Sequence, residues 1–388
     1  MITKISLTAI STLGLCVQSA AANCKAPPEK YDLVDLGDVV ADQAESRAVA
    51  IDERGRVIVQ AVTEGIGQQA SEFLIERNGK SAPVKNPDQT AIRDTTRLIG
   101  NRMRVTDYTL IQEGFLPARA TTLIDRKGGE IDIKDFCKVD GSASWDIESF
   151  SISDNGDHAV ALFETETVYS VAKCEFEKPA SILFETDDEI ELAGINNDGE
   201  IGGITDGGDE LFLWRWTDAG RVTKALPDEL LDAQVSGIDS EGRVFAMATG
   251  TVVNPAIYLT EDDDLAPVVM LPGDGWDVNW VTVGPCGTVF GEATYTNFAA
   301  FVQLSEQEQA KMREDFQQFW QYALERESAL FVWSPGDRNG RFLGRAAEET
   351  RDWSELKVTA INKDGVAIGY GDNEFGETRA IKLVPVKD

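Results

Sequence analysis

The feature that most constrains this chain is a short glycine turn that recurs along it. Residues 193–204 hold two apolar runs separated by Asn197, Asp198 and Gly199, and the aromatic run of residues 211–214 follows. A tight hairpin needs a residue that tolerates positive φ, and Asn or Asp beside it can bond back to the backbone. Each copy therefore predicts two antiparallel strands joined by a tight turn. Similar turns end at Gly55, Gly156, Gly242, Gly287 and Gly365.

The spacing of these turns predicts a repeated four-stranded unit. From Gly156 to Gly287 they follow one another after 43, 43 and 45 residues, which is the length of a propeller blade. The longer gap before Gly156 has room for a second blade without the turn, and the gap after Gly287 has room for one blade with an insertion. The sequence thus predicts seven units, an all-β, seven-bladed β-propeller.

The two ends of the chain predict how the ring closes. The last unit runs out of chain after its third strand, at residues 380–383, whereas residues 31–36 alternate apolar and polar side chains without a blade of their own. An N-terminal strand placed fourth in the last blade would remove sheet edges that favour aggregation. We therefore expect a single, monomeric propeller domain over residues 23–388, closed by the N-terminal strand.

The first residues resemble a secretion signal. Lys4 precedes an apolar run over residues 5–17, and Ala20 and Ala22 supply the small residues that precede a cleavage site. The run is shorter than the roughly 20 apolar residues needed to span a bilayer. We predict a signal peptide over residues 1–22 and an exported protein, periplasmic or extracellular, without membrane insertion; a buried N-terminal helix is the alternative.

Four cysteines remain after removal of the signal, a number that fits two disulfides in an oxidising compartment. Three connectivities are possible by count. In a propeller, Cys286 lies in a glycine turn and Cys24 precedes a strand that starts on the same face. Cys137 ends the fourth strand of blade two, and we place Cys174 in the connection between the second and third strands of blade three. This topology favours Cys137–Cys174 and Cys24–Cys286.

The chain is strongly acidic, with a formal net charge of −31. Such a charge repels nucleic acids and anionic membranes, and it favours cationic partners or simply a well-solvated surface. The single histidine, His158, makes a zinc site of the usual ligands improbable. Calcium is an alternative at residues 187–189, at residues 262–264 and at the Asn/Asp/Gly turns, although none of these has the spacing of a known calcium loop. No other cofactor is expected.

Four segments together resemble the HAF-type repeats of bacterial secreted proteins: residues 31–37, 46–51, 195–199 and 211–214. A unit of that family resembles a D-L-G strand, an A-I-N-x-x-G hairpin and an A-F-L-W strand. Blade two lacks the glycine turn, and in blade three residues 182–184 stand where the aromatic third strand is expected. The resemblance implies an exported, propeller-like fold and no particular activity.

Several tryptophans lie beside carboxylates just before the first strand of a blade, and they should gather on one face near the channel mouth. An indole ring beside a carboxylate suits a sugar or a cationic peptide, although packing between blades would also explain these rings. The predicted ligand-binding residues are Trp145, Asp146, Trp276, Asp277, Trp280 and Trp353.

Blade six carries the predicted insertion, a helix at about residues 305–328 in the connection between its second and third strands. Ser305 and Glu308 fit a capping box. The helix would dock on the blades, or serve as a lid or a partner-binding element on the tryptophan face. Its apolar face would hold Met312, Phe316, Phe319, Trp320, Ala323 and Leu324.

Catalytic motifs are missing from the sequence, which has no G-x-S-x-G, no H-E-x-x-H and no phosphate-binding glycine loop. We therefore expect a non-catalytic recognition module that binds a glycan or peptide, and we predict no catalytic residue. One alternative is a glycan-acting hydrolase or lyase with two carboxylates at the channel mouth. Another is a scaffold that binds an envelope protein through the blade-six helix.

Overall fold

The computed structural model describes residues 30–37, 45–62, 70–84, 92–99, 103–110, 118–125, 130–137, 139, 146–165, 167–175, 178–228, 230–250, 256–268, 276–296, 305–313, 326–337, 340–343 and 353–386. The predicted signal peptide, residues 1–22, and Cys24 lie outside these ranges. Among the described helices, none has the length and apolar character needed to cross a membrane.

The protein is all-β, and its strands form antiparallel sheets of four. The described residues contain seven such sheets. The chain enters with β1 (Tyr31–Asp35). Sheet one holds β2 (Glu45–Ile51), β3 (Val57–Val62), β4 (Ala70–Ile75) and β5 (Ser81–Pro83). Sheet two holds β6 (Ile92–Ile99), β7 (Met103–Leu110), β8 (Ala118–Asp125) and β9 (Glu130–Asp132), and the short helix α1 (Ile133–Phe136) follows.

The next sheets repeat the same order of strands. Sheet three holds β10 (Asp146–Ile152), β11 (Ala159–Glu164), β12 (Tyr169–Cys174) and β13 (Ser181–Thr186). Sheet four holds β14 (Glu189–Ile195), β15 (Ile201–Asp206), β16 (Leu211–Thr217) and β17 (Gly220–Ala225). Sheet five holds β18 (Leu230–Ile238), β19 (Val244–Gly250), β20 (Ala256–Leu259) and β21 (Leu265–Pro267).

The last two sheets contain the insertion and the chain ends. Sheet six holds β22 (Trp276–Val283), β23 (Val289–Thr296), β24 (Arg326–Trp333) and β25 (Arg341–Phe342), with helix α2 (Glu306–Arg313) between β23 and β24. Sheet seven holds β26 (Ser354–Ile361), β27 (Ala367–Asp372) and β28 (Thr378–Pro385), and β1 pairs with β28 as its fourth strand.

The first strands of most successive sheets lie side by side. Contacts join β2 to β6, β10 to β14, β14 to β18, β18 to β22, β22 to β26, and β26 to β2. In sheet one and in sheets three to seven the glycine turn joins the first and second strands, so we name that edge of the sheets the turn edge. The opposite edge, where the first strands begin, is named the mouth edge.

The core lies between the sheets, because the middle strands carry apolar side chains on both faces. In β11, Ala159 and Ala161 pack with α1, whereas Val160 and Leu162 pack against sheet four. Trp214 is fully buried in the second of these layers. Burying both faces explains why β11 is an unbroken apolar run rather than an alternating one.

The third strand of sheet three differs from the prediction. That strand is β12, and residues 182–184 belong to the fourth strand, β13. Cys174 therefore ends the third strand opposite Ala159, on the turn edge, and its predicted place in the connection between the second and third strands is wrong. The predicted partner is nevertheless correct, since Cys137 and Cys174 form a disulfide with a Cα–Cα distance of 5.2 Å.

The insertion in sheet six lies between the second and third strands, as predicted, but it ends earlier. Strand β24 begins at Arg326, so the predicted helix cannot reach residue 328. Thr296 of β23 pairs with Arg326 of β24, so both residues belong to the sheet. The predicted apolar positions beyond Met312, from Phe316 to Leu324, lie outside the described residues.

Candidate functional site

Five carboxylates gather at the mouth edge of sheets three to five, and we name them the acidic sector. They stand on the first strands of three consecutive sheets and at the end of one second strand. A β-bulge in β10, between Ile147 and Ser149, redirects the side chain of the residue between them. The members of the sector are Glu148, Glu164, Glu189, Glu191 and Asp232.

Glu148 stands at the bulge, and its carboxyl group binds its proton more tightly than usual. The side chain is exposed at the surface, but partial burial of the carboxyl is the largest cause of its raised pKa. The neighbouring negative charges of Glu164 and Glu189 raise the pKa further. The Glu148 carboxyl group therefore has two further acidic side chains near it, one from β11 and one from β14.

Glu191 repeats this situation one sheet farther on. Partial burial again raises the pKa of its carboxyl, and Asp232 and Glu189 add to the increase. The backbone N–H of Val235 donates a hydrogen bond of 3.2 Å to Glu191 Oε2 and opposes the shift. That bond fixes the Glu191 carboxyl between sheets four and five.

Tyr169 adds a hydroxyl group to the acidic sector. It begins β12, and its Oη–H donates a hydrogen bond of 3.4 Å to Glu164 Oε1. Burial and the charges of Glu164, Glu148 and Glu189 raise the pKa of this phenol, so it stays a hydrogen-bond donor. The sector therefore offers one hydroxyl donor beside several carboxyl groups, and the pKa values of two of them, Glu148 and Glu191, are raised.

Arg47 places a positive charge at the mouth edge, where sheets one and seven are in contact. The Arg47 guanidinium lies 4.9 Å from the centre of the Tyr370 ring and 3.6 Å from Glu45 Oε2. Arg47 stands on β2 and Tyr370 on β27, so this contact joins the first and last sheets. Its half-exposed guanidinium leaves positive charge at the edge where the acidic sector is negative.

The predicted tryptophan site is described in part. Asp146 begins β10, Trp276 and Asp277 begin β22, and Trp353 is half-buried directly before β26, so their backbones stand at the mouth edge. The described residues do not include Trp145, nor the side chains of Asp146, Trp276 and Asp277. Ligand binding by this set stays a prediction.

Trp280 is the member of the set whose contacts are described. It packs against the apolar layer between sheets six and seven, and its Nε1–H donates a 3.1 Å hydrogen bond to Glu292 Oε2. Asn279 donates to the same carboxylate at 3.1 Å and to Thr294 Oγ1 at 2.6 Å. The indole is thus held by packing and by a polar cluster within sheet six.

The acidic sector escaped sequence reasoning because acidic residues are abundant throughout the chain. A usable signal was their position in the repeat: Glu148, Glu189 with Glu191, and Asp232 all stand near the start of a first strand. Strands at equivalent places in successive repeats carry their side chains to one edge. Position within the repeat, rather than residue type, would have selected them.

The acidic turns considered for calcium are engaged by other groups. Asp264 Oδ1 lies 3.1 Å from Lys224 Nζ, and Asp263 is paired with Arg215. Asp188 accepts a hydrogen bond from Thr186 Oγ1 at 3.2 Å. In the described part of the chain, no three His, Cys, Asp or Glu side chains are grouped as metal ligands would be.

No protein-family model matches the chain, and no curated protein sequence matches it. Solved structures do resemble it. An oligogalacturonate lyase from Vibrio parahaemolyticus superposes with a TM-score of 0.52 at 9% identity, over 92% of this chain and 98% of the lyase. An oligogalacturonate lyase in complex with manganese gives a TM-score of 0.53 at 8% identity, over 94% and 99% of the two chains.

Another similar structure is prolyl oligopeptidase B from Galerina marginata, with a TM-score of 0.53 at 8% identity. The match covers 89% of this chain and 52% of that longer enzyme. At these identities the likeness concerns the fold alone. The fold is therefore propeller-like, and chemistry must be argued from this chain's own residues.

Proposed function

We propose that the seven sheets are the blades of one closed propeller over residues 23–388, in an exported protein whose residues 1–22 are a signal peptide. The adjacency of β26 and β2 supports closure, as does a 3.2 Å hydrogen bond from Asn362 Nδ2 to Asp52 O that links sheet seven to sheet one. The Cys137–Cys174 disulfide supports an oxidising compartment.

We propose further that this propeller cleaves a glycan at the mouth edge. The observation that carries the proposal is Glu148, a carboxyl whose pKa is raised by burial and by the flanking Glu164 and Glu189. Two carboxyl groups held in opposite protonation states are the usual means of glycosidic bond cleavage. Glu148 would supply the acid, and Glu164 or Glu189 the base.

The proposed chemistry needs Glu148 to carry a proton and a neighbouring carboxyl group to be ionised. In a hydrolase, Glu148 protonates the leaving oxygen while an ionised neighbour activates water or attacks the sugar carbon. In a lyase, the ionised neighbour removes a proton from carbon, and Glu148 protonates the departing oxygen. The Tyr169 hydroxyl can donate to substrate oxygens. The lyase version is supported by the similar folds of the two oligogalacturonate lyases.

Glu148→Gln tests the proposal. Purified protein is offered oligogalacturonate and neutral polysaccharides, with new reducing ends and the ultraviolet absorbance of unsaturated products as readouts. We expect the substitution to lower turnover by about 10²–10⁴, the usual contribution of general acid–base catalysis, with an unchanged melting temperature. The control is Glu185→Gln, on the rim strand of the same sheet. Equal turnover in both variants would contradict the proposal.

A second candidate is a non-catalytic recognition module that binds a glycan, a cationic peptide or an envelope protein. The favouring observation is the negative acidic sector on a chain of net charge −31. A recognition module of this kind would bind its ligand more weakly as the salt concentration rises, and it would not cleave the ligand. Binding lost in Trp276→Ala and Trp280→Ala, with normal melting, would place the ligand on the tryptophans. A partner-binding role of the insertion stays a prediction.

A further inference from the structure

A group of polar side chains lies in sheet six, where the apolar layer between sheets six and seven ends toward the mouth edge. Trp280 of β22 pairs with Glu292 of β23. Phe290, two residues earlier on β23, is fully buried in that layer, whereas Trp280 and Glu292 are only partly buried. We name the group the Trp280 cluster, and its members are Asn279, Trp280, Glu292 and Thr294.

One oxygen of the Glu292 carboxylate holds the cluster together. Its Oε2 accepts a 3.1 Å hydrogen bond from Trp280 Nε1–H and another of 3.1 Å from Asn279 Nδ2. Asn279 Nδ2 also donates to Thr294 Oγ1 at 2.6 Å. A carboxylate has no hydrogen to donate, so the bond to Glu292 fixes which end of the Asn279 amide faces it.

The hydrogen-bonding capacity that remains on Asn279, Trp280 and Glu292 belongs to acceptors. An indole has one N–H and a primary amide has two, and the bonds to Glu292 Oε2 and Thr294 Oγ1 use all three. Glu292 Oε1 and Asn279 Oδ1 make no hydrogen bond within the described part of the chain. A group that binds to these two oxygens must therefore donate.

The charge of Glu292 is also left without a cation among the described residues, since both of its partners are neutral. Other partly or fully buried carboxylates in the chain are paired differently. Asp52 lies 2.7 Å from Arg56 Nε, and Asp239 lies 2.6 Å from Arg243 Nη2. Partly buried charges are usually paired, so an unpaired carboxylate beside an indole suits a positively charged ligand.

We propose that the Trp280 cluster binds the guanidinium group of an arginine side chain on a peptide. A guanidinium only donates hydrogen bonds, which matches the two acceptors Glu292 Oε1 and Asn279 Oδ1. It is planar and weakly hydrated, so it can stack on the partly exposed indole of Trp280 while it bonds to the carboxylate. A sugar hydroxyl both donates and accepts, and these oxygens satisfy only the first need.

This binding goes beyond the proposed glycan cleavage and does not depend on it. The carboxyl groups proposed for cleavage stand on sheets three and four, whereas the Trp280 cluster lies within sheet six. The net charge of −31 favours the approach of a cationic peptide to either place, so the experiment must report on Trp280 itself.

Two small probes of the same shape test the need for charge. The full-length protein, isotope-labelled at its indole nitrogens, is titrated at about 0.15 M salt with N-acetyl-arginine N-methylamide or with the uncharged citrulline analogue. The indole signal of Trp280 is assigned by its absence from Trp280→Phe. We expect the arginine probe to shift this signal to saturation, and the citrulline probe to bind at least about 10-fold more weakly.

Glu292→Gln tests the carboxylate without removing the acceptor that Trp280 and Asn279 need. A glutamine side chain keeps one oxygen for those two donors, so the Trp280 signal should stay near its wild-type position before the titration. Loss of the charge should weaken binding of the arginine probe by about 10–100-fold, as expected for a hydrogen bond between charged groups.

Glu377→Gln is the matched control. Glu377 accepts a 3.0 Å hydrogen bond from Asn373 Nδ2, as Glu292 does from Asn279, but its Oε2 lies 4.0 Å from Arg379 Nε. This substitution should leave the affinity unchanged. Equal binding of the two probes, unchanged affinity in Glu292→Gln, or no response of the Trp280 signal would overturn the proposal. If Glu292→Gln folds poorly, the two probes on the wild type still decide.

Discussion

Thr359 Oγ1 donates a 2.7 Å hydrogen bond to the carbonyl oxygen of Ala48, a residue 311 positions earlier in the chain. Thr359 stands on the first strand of sheet seven and Ala48 on the first strand of sheet one. The same bond joins sheets six and seven, where Thr282 Oγ1 donates to Val358 O at 2.8 Å. The contact between sheets seven and one, which come from opposite ends of the chain, thus repeats the contact between sheets six and seven.

Thr359→Val should remove this bond and leave the Ala48 carbonyl without it. We expect a loss of about 1 kcal/mol in the free energy of unfolding, the usual net value of one such hydrogen bond. Urea unfolding provides the measurement, and Thr282→Val is the matched control. Similar losses in both variants would support a closed ring. No loss in Thr359→Val beside a clear loss in Thr282→Val would contradict closure.

Tyr31 anchors the N-terminal strand through its ring rather than its hydroxyl. The ring packs edge-on against Phe290 at 5.3 Å and is buried. Burial raises the pKa of the hydroxyl, for which the described residues provide no hydrogen-bond partner. Tyr31→Phe should be neutral or stabilising by up to about 1 kcal/mol, and Tyr31→Ala should cost about 3 kcal/mol.

The measurement is the urea unfolding midpoint of the two Tyr31 variants. A large loss on Tyr31→Phe would show that the hydroxyl has a partner after all. An unchanged midpoint in Tyr31→Ala would mean that β1 contributes little to the stability of sheet seven.

The disulfide between Cys137 and Cys174 holds α1 against sheet three. It closes a separation of 37 residues, and both cysteines are buried in the layer that contains Ile133 and Phe136. The double variant Cys137→Ala/Cys174→Ala should lose about 3 kcal/mol, because the unfolded chain gains freedom. The difference from wild type in chemical unfolding should vanish when both proteins are unfolded in reductant. If it persists, the loss comes from packing instead.

Glu189→Gln should change the pH profile of any glycan cleavage. The Glu189 charge contributes to the raised pKa of Glu148, after burial and Glu164, so its removal lowers that pKa. A general acid is active when protonated, and activity falls as the pH rises through its pKa. The alkaline limb of the pH–rate profile should therefore move to lower pH. Glu185→Gln should leave the limb in place, and an upward shift in Glu189→Gln would contradict the role of Glu148.

Local chemistry made the hairpins predictable. Gly55, Gly199 and Gly365 have φ values of 76°, 79° and 75°, the left-handed conformation for which a turn selects glycine. Asn196 and Asn362 begin two of these turns, and their Oδ1 atoms accept backbone N–H bonds within them. Each of these relationships spans a few residues, so the sequence alone reveals it.

The third strand of sheet three was predicted wrongly because a contact between sheets, and not local turn chemistry, decides which strand takes that place. Residues 182–184 carry the apolar and aromatic side chains that were expected of a third strand, yet β12 takes that place. Phe184 stands on the rim strand, where its ring packs edge-on against Trp214 of sheet four at 5.2 Å. The contact with Trp214 in the next sheet explains why Phe184 stands on the rim strand. The residues near Phe184 in sequence do not reveal that contact.

The sequence by itself determined the four-stranded repeats, the glycine turns and the strongly acidic character, because turn chemistry, periodicity and composition are properties of neighbouring residues. Only the tertiary structure decided where Cys174 lies and which charges act on Glu148, namely those of Glu164 and Glu189. The raised pKa of Glu148 depends on burial and on charges brought from other strands, and both arise only when the sheets pack together.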